Sequence, residues 1–259
     1  MRFDLNEDQS TYATFLEQML AAPDTGFQPV EGWGRYDYGT ALDAQLDENG
    51  FFDAAREEEL GSVTAALMVY EAAQVPVCIE CAASALIRPF LGRDVSRPLA
   101  VVVDDAPGAI RYLPQAKGLV SITATGVRYA DLPEGAVQPV ESLYAYPMGT
   151  VDRDALDWTA LDVDTGDLRT LWQVAVAAEL AGVLKAGMDA VIDHVRERRQ
   201  FGQPLGAFQG VQHRLATAAV EIEGARLQML KAAQSRSAQD AAAALGYVQG
   251  VATRITYDL

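Results

Sequence analysis

The sequence predicts an α+β fold that is mostly α, with an N-terminal helical domain, a small antiparallel β insert and a C-terminal antiparallel helix bundle. Three observations carry this reading. Residues 1–95 and 151–259 repeat apolar side chains at helical spacing, whereas residues 96–150 switch to short β-type runs punctuated by proline and glycine. The two kinds of segment come in blocks and do not alternate, which argues against a parallel βαβ sheet. Half of the 259 residues are hydrophobic and 22% are charged, a balance that excludes disorder across the whole chain.

In residues 1–95, Asn6 with Gln9 three places on forms a helix-start signature, and the helix is expected to end at Pro23–Gly26. A connection rich in Gly, Trp and Tyr (Gly32–Gly39) leads to helical runs near Ala41–Asn49 and Val63–Leu91, the second with Leu67, Tyr70, Ala73 and Val77 on one face. In residues 96–150 the strands are expected at Leu99–Val103, Leu119–Thr125 and Val127–Tyr129, separated by Pro107-Gly108, Gly126 and Pro133-Glu134-Gly135. In residues 151–259, Asp167 is expected to cap a long helix running to about Gln200, interrupted by the loop Phe201–Phe208. The next helix carries Val211, Leu215, Ala218, Ile222, Ala225 and Met229 as one narrow apolar stripe suited to a bundle. Ser237 and Asp240 then mark the start of a last helix reaching toward Leu259.

Thirty-six acids against twenty bases give a net charge of −16. Duplex nucleic acid is therefore not an expected partner. The N-terminus lacks the apolar run of a secretion signal, and no stretch has the roughly 18 uncharged apolar residues of a membrane span, so a cytoplasmic location without membrane partners is expected. Charge is unevenly distributed. Residues 1–60 hold fourteen acids and three bases, whereas residues 185–231 hold seven bases and five acids. Positive charge collected in an otherwise anionic chain is compatible with an anionic ligand, and equally with arginines placed against a helix dipole.

Most catalytic constellations are missing. There are two histidines, His194 and His213, and neither a Gly-x-Ser-x-Gly elbow, an HExxH nor a P-loop. Cys78-Ile79-Glu80-Cys81 lacks the second ligand pair of a zinc site, so two packed thiols in a helix are expected and no metal. Glu179 is the one carboxylate inside the apolar run Val174–Leu184. It reads either as a desolvated base or as a paired interface acid.

One segment is specific. Arg198-x-Gln200-Phe201-Gly202-Gln203-Pro204-Leu205-Gly206-x-Phe208-Gln209 closely resembles the signature of the acyl-CoA dehydrogenase family, and Ala177–Gly182 is similar to the same C-terminal domain. Weaker similarity covers Leu46–Gly50 and Met68–Glu71. The resemblance implies FAD bound at a subunit interface. Arg198 would meet the pyrophosphate, Gln200 and Phe201 would lie along the cofactor, and Gln209 would reach toward the adenine side. A forked, permanently charged guanidinium suits phosphate oxygens.

The chain also departs from the family. The Thr-Glu-Pro-type loop and Trp-Ile-Thr/Ser strand that surround flavin and substrate are missing, and the β insert is about half the family's size. By the resemblance, some family members place the catalytic glutamate at the position of Trp172 and others at a position beyond Leu259, and Glu179 occupies a position where the family has no catalytic group. The resemblance therefore implies a short, non-catalytic subunit of a heteromeric FAD-dependent acyl-CoA dehydrogenase. It would pair with a full-length subunit in a heterotetramer that dehydrogenates acyl-CoA thioesters, steroid side chains among them, and passes electrons to an electron-transfer flavoprotein. Two rivals stay open: a self-sufficient homomeric dehydrogenase with its base beyond Leu259, and a cofactor-free scaffold subunit.

Overall fold

The computed structural model describes residues 5–21, 38–141 and 146–258. Helix α1 (Glu7–Leu20) begins with a complete capping box. Gln9 N–H donates to Asn6 Oδ1 at 2.7 Å, and Asn6 N–H donates to Gln9 Oε1 at 3.1 Å, so two of the helix's orphan donors are satisfied reciprocally. The expected stop at Pro23–Gly26 and most of the Gly32–Gly39 connection lie outside the described residues. Helix α2 (Thr40–Glu48) follows, then a 3₁₀ turn over Phe51–Arg56 that starts from Gly50 at φ +73°.

The single helical run expected over Val63–Leu91 is divided. Helix α3 (Gly61–Ala72) stops, an irregular stretch intervenes, and α4 (Ala82–Leu86) resumes. Pro76 explains the break, since it has no N–H to donate and disfavours helical backbone at Val75. The chain becomes extended at Cys78, which forms a parallel bridge with Tyr38. The two cysteines therefore do not lie in a helix: Cys78 is on the extended stretch, and Cys81 is the buried N-cap of α4. The Glu80 carboxylate, also buried, accepts from Ala83 N–H at 2.7 Å, Ser84 Oγ at 2.5 Å and Leu99 N–H at 3.2 Å, tying α4 to the first strand.

The β region holds two packed layers. Strands β1 (Leu99–Val103), β3 (Gly118–Thr123), β4 (Gly126–Asp131) and β7 (Thr159–Leu161) form one sheet in the order β1-β3-β4-β7. All its pairs are antiparallel except β1–β3, which is parallel. β7, beyond residue 150, adds the edge strand that the sequence did not suggest. Strands β2 (Ile110–Arg111), β5 (Gln138–Val140) and β6 (Met148–Thr150) form the second sheet in the order β2-β6-β5. Side-chain alternation decides which layer each residue serves. Leu99, Val120, Ile122, Val127 and Tyr129 join the helical core, whereas Ala100, Val102, Leu119 and Ala130 join Ile110 and Leu113 on the other face.

Helix α5 (Thr165–Glu197) is capped by Asp164, not Asp167. The Asp164 carboxylate accepts from Asp167 N–H at 2.7 Å, because the chain is still extended at Asp164 and turns helical one residue later. With α6 (Gln209–Ser235) and α7 (Ala238–Asp258) it forms the C-terminal bundle. The start of α7 follows Ser237, whose hydroxyl accepts from Asp240 N–H at 3.5 Å. Ala218, Ile222, Ala225 and Met229 of the predicted stripe are buried, while Val211 and Leu215 remain half-exposed near the far end. Alanines dominate the bundle core (Ala175, Ala178, Ala181, Ala225, Ala232, Ala241, Ala244), so the helices approach closely. α3 crosses α5 at Gly182, where an added Cβ would lie 2.2 Å from the Tyr70 carbonyl oxygen.

Candidate functional site

The signature segment folds as a projecting hairpin between α5 and α6. Arg198 leaves the helix with φ −66° and ψ 121°, although its N–H still reaches His194 O at 2.8 Å. Strand β8 (Arg199–Gln200) pairs with β9 (Gln203–Pro204) across the two-residue turn Phe201-Gly202, both at positive φ, +53° and +84°. Such turns match the twist of a two-stranded ribbon but normally take Asn or Gly at the first position. Phe201 is 91% exposed there, so its ring gains almost nothing from burial within the chain. Its one ring contact among the described residues is with the edge of Phe208, at 6.3 Å between centroids. The return strand is closed by Leu205 N–H donating to Arg198 O at 2.8 Å.

Arg198, Gln200 and Gln209 are also exposed. The structure thus places all four sequence-derived candidates on one hairpin and the first turn of α6. Neither Arg198 nor Arg199 makes a side-chain ion pair or hydrogen bond among the described residues, so two charged forks face solvent. At the base of the hairpin an apolar groove of about 460 Å³ runs between Val191, Val195, Leu205, Val211 and Leu215, with His194 and Arg214 on its walls.

A second constellation, invisible in the sequence, lies where the β insert meets α5. Arg111 Nη2 donates to Glu179 Oε2 at 2.7 Å, and the Tyr146 hydroxyl donates to Glu179 Oε1. The rings of Tyr112 and Tyr146 pack at 5.0 Å, with Arg111 over both. Burial pushes the Tyr112 and Tyr146 phenols up, and the neighbouring Glu179 charge pushes them further. For Arg111, burial is the largest single effect and works against the charge, but the Glu179 carboxylate together with the Tyr146 and Tyr112 hydroxyls outweighs it, and the guanidinium is held above its ordinary value. Glu179 is therefore the paired interface acid of the two readings. No residue pattern near position 111 signals a partner 68 residues away.

Next to it, a chamber of about 220 Å³ is lined by Glu80, Leu99, Val101, Pro107, Arg111 and Trp172. Its loop wall is clasped from outside by Arg169, which grips Asp104 through both carboxylate oxygens at 2.8 and 2.6 Å, and by Arg153, which donates to Ala106 O at 2.9 Å. No hairpin residue lines this chamber. Trp172, the alternative position for the family's base, is one of its walls and carries no acid. Cys81 beneath is held well above the ordinary thiol value by burial and by Glu80, so it remains a protonated packing group. Among the described residues there is no cluster of His, Cys, Asp and Glu suited to a metal, and no helix is long and apolar enough to cross a membrane.

Residues 172–253 match the family model for the acyl-CoA dehydrogenase C-terminal domain. Over these residues the C-terminal helices are similar to those of the acyl-CoA dehydrogenase family. The probable acyl-CoA dehydrogenase YngJ of Bacillus subtilis is 44% identical over 61 residues, which is 24% of this chain and 16% of that protein. The chain thus covers less than a fifth of this relative's length. Likeness of fold extends much further. Butyryl-CoA dehydrogenase from Megasphaera elsdenii superposes with a TM-score of 0.68 at 20% identity, covering 99% of this chain and 88% of the other. The Tcur3481–Tcur3483 steroid ACAD gives 0.69 at 19% identity, covering 97% and 85%. The whole described architecture is therefore the acyl-CoA dehydrogenase fold, with the hairpin at the junction of the first two bundle helices.

The donors on the hairpin fit the diphosphate of FAD. The guanidinium groups of Arg198 and Arg199 are permanently charged, make no side-chain ion pair or hydrogen bond among the described residues and sit on a preformed turn. Among the described residues, the chamber beneath β1 is lined by a separate set from the hairpin donors.

Proposed function

We propose that this chain is one subunit of an FAD-dependent acyl-CoA dehydrogenase. It contributes the Arg198–Gln209 hairpin to the ADP half of a cofactor held mainly by a partner subunit. The observation that carries the reading is Arg198: exposed, without a side-chain partner among the described residues, and on a hairpin that stands apart from the described chamber. Bound FAD supplies the hydride acceptor for α,β-dehydrogenation of an acyl-CoA thioester. This chain's residues bind and orient. Arg198 neutralises phosphate charge, Gln200 and Gln209 offer amide groups on either side of it, and Phe201 covers the cofactor with an apolar ring.

The catalytic base belongs to the partner in this reading. Glu179 is committed to Arg111 and Tyr146, and Trp172 has no titratable group. A heterotetramer with a full-length subunit, steroid side-chain thioesters as substrates and an electron-transfer flavoprotein as acceptor complete the proposal. The two-chain name of the steroid ACAD sharing this fold is in keeping with the first two points.

Co-expression with the full-length subunit, followed by flavin absorbance of the purified complex, tests this. Arg198→Ala should weaken FAD retention by about 1.5–3 kcal/mol, the worth of a charge-assisted contact, with the complex still assembled. Undiminished flavin in that variant would refute the role of the hairpin. Stoichiometric FAD in the chain purified alone, reduced by acyl-CoA, would refute the division of labour and favour a self-sufficient enzyme.

A further inference from the structure

Arg198 is anchored at the end of α5, whereas Gln200 and Phe201 are placed through the return strand, the turn Leu205–Ala207 behind it and the edge contact of Phe201 with Phe208. That turn lies against the last turn of α5, where an added Cβ on Gly206 would be 3.3 Å from the Val195 carbonyl oxygen. The same turn is gripped from α6. Gln212 Nε2 donates to Gly206 O at 2.9 Å, reaching back six residues across the start of the helix. The backbone of Gln212 is itself anchored, its N–H donating to Phe208 O at 3.1 Å. The turn therefore has a rigid wall on one side and a side-chain clamp on the other.

We infer that Gln212 is a positioning residue: its amide pins Gly206 so that the tip Gln200–Phe201 stands in fixed register with the Arg198 guanidinium. The inference rests on the reading of the hairpin given above and deepens it. Gln212 touches no part of the proposed ligand and acts through the loop. A hairpin held before its ligand arrives loses less entropy on binding, which makes such a clamp worthwhile for a tip that buries no side chain of its own.

Hydrogen exchange of the full chain reads the clamp directly, through the Leu205 amide that closes the hairpin on Arg198 O. Gln212→Met keeps the side-chain length and removes the donor. It should speed Leu205 exchange about two- to tenfold, the span equivalent to a net hydrogen bond of ~0.5–1.5 kcal/mol, with amides beyond Ala218 unchanged. Gln212→Lys restores a donor and should restore slow exchange. In the complex with the flavin-bearing subunit, Gln212→Met should weaken FAD retention by a similar factor. Unchanged Leu205 exchange in Gln212→Met overturns the clamp, and so does a Lys variant as fast as the Met one. Faster exchange with undiminished FAD retention, while Arg198→Ala loses flavin, overturns the positioning role alone. Undiminished flavin in Arg198→Ala as well overturns the underlying reading of the hairpin instead.

Discussion

Replacing Gly182 by alanine tests the packing on which the whole helical body depends. The added Cβ would sit 2.2 Å from the Tyr70 carbonyl oxygen and 2.8 Å from Ala73 Cβ. The first obstacle is helix backbone, which no rotamer change can move aside. Relief requires α3 and α5 to separate by about 1 Å, loosening the dispersion contacts of a close-packed seam. Overpacking of this kind costs ~1–3 kcal/mol, with the rigid obstacle placing it at the upper end. Alanine's better helix propensity returns up to ~1 kcal/mol, leaving a net loss of about 2 kcal/mol. For a chain of this size that corresponds to a Tm lower by about 4–8 °C, measured by calorimetry or far-ultraviolet circular dichroism. Gly187→Ala is the matched control on the same helix, since nothing lies within 4 Å of its added Cβ. It should gain ~0.5–1 kcal/mol and raise Tm by a few degrees. A Gly182→Ala protein as stable as the parent, or both variants shifting alike, would refute the close approach of the two helices.

Arg111→Ala leaves the Glu179 carboxylate buried without its counter-ion and should cost about 3 kcal/mol in urea unfolding, whereas Arg111→Met with Glu179→Met should recover most of the loss. Asn6→Ala removes the capping box and should cost ~1 kcal/mol, seen as faster exchange confined to α1. Phe201→Asn keeps the turn in a residue that tolerates φ +53° and gives up no buried surface. It should stabilise the isolated chain by ~0.5–1 kcal/mol while lowering FAD retention in the complex. Glu80 provides a pH signature, since burial raises its carboxyl above the ordinary 4.5, more than its bonds to Ser84, Leu99 and Ala83 and the charge of Arg97 lower it. The folded protein therefore holds this proton more tightly than the unfolded chain does. Its stabilisation is complete below pH 4.5 and is lost as pH rises through the raised folded value. The stability of wild type relative to Glu80→Gln should accordingly fall as pH rises from 4.5 through the raised folded value, and a relative stability that rose over that range would reverse the assignment.

What the sequence determined by itself was whatever local periodicity and chain direction control. The capping pair Asn6–Gln9, the edges of β1, the buried part of the α6 stripe from Ala218 to Met229 and the block order of helices and strands all follow from residues a few positions apart. The loop Phe201–Phe208 was legible for the same reason, since its glycines and proline lie within one short segment, whereas the helix end at Glu197 and the pairing of Arg199–Gln200 with Gln203–Pro204 were not. Pro76 shows how a local signal can be outweighed in reading, because the apolar spacing of Leu67, Tyr70, Ala73 and Val77 continues across a residue that cannot continue the helix. Tertiary structure alone decided the parallel pairing of β1 with β3, the edge strand β7, the Arg111–Glu179–Tyr146 cluster and the grip of Gln212 on Gly206. Each of these pairs groups through space, and the energy that selects them comes from desolvation and close packing. Those forces act on neighbours that only the folded chain brings together.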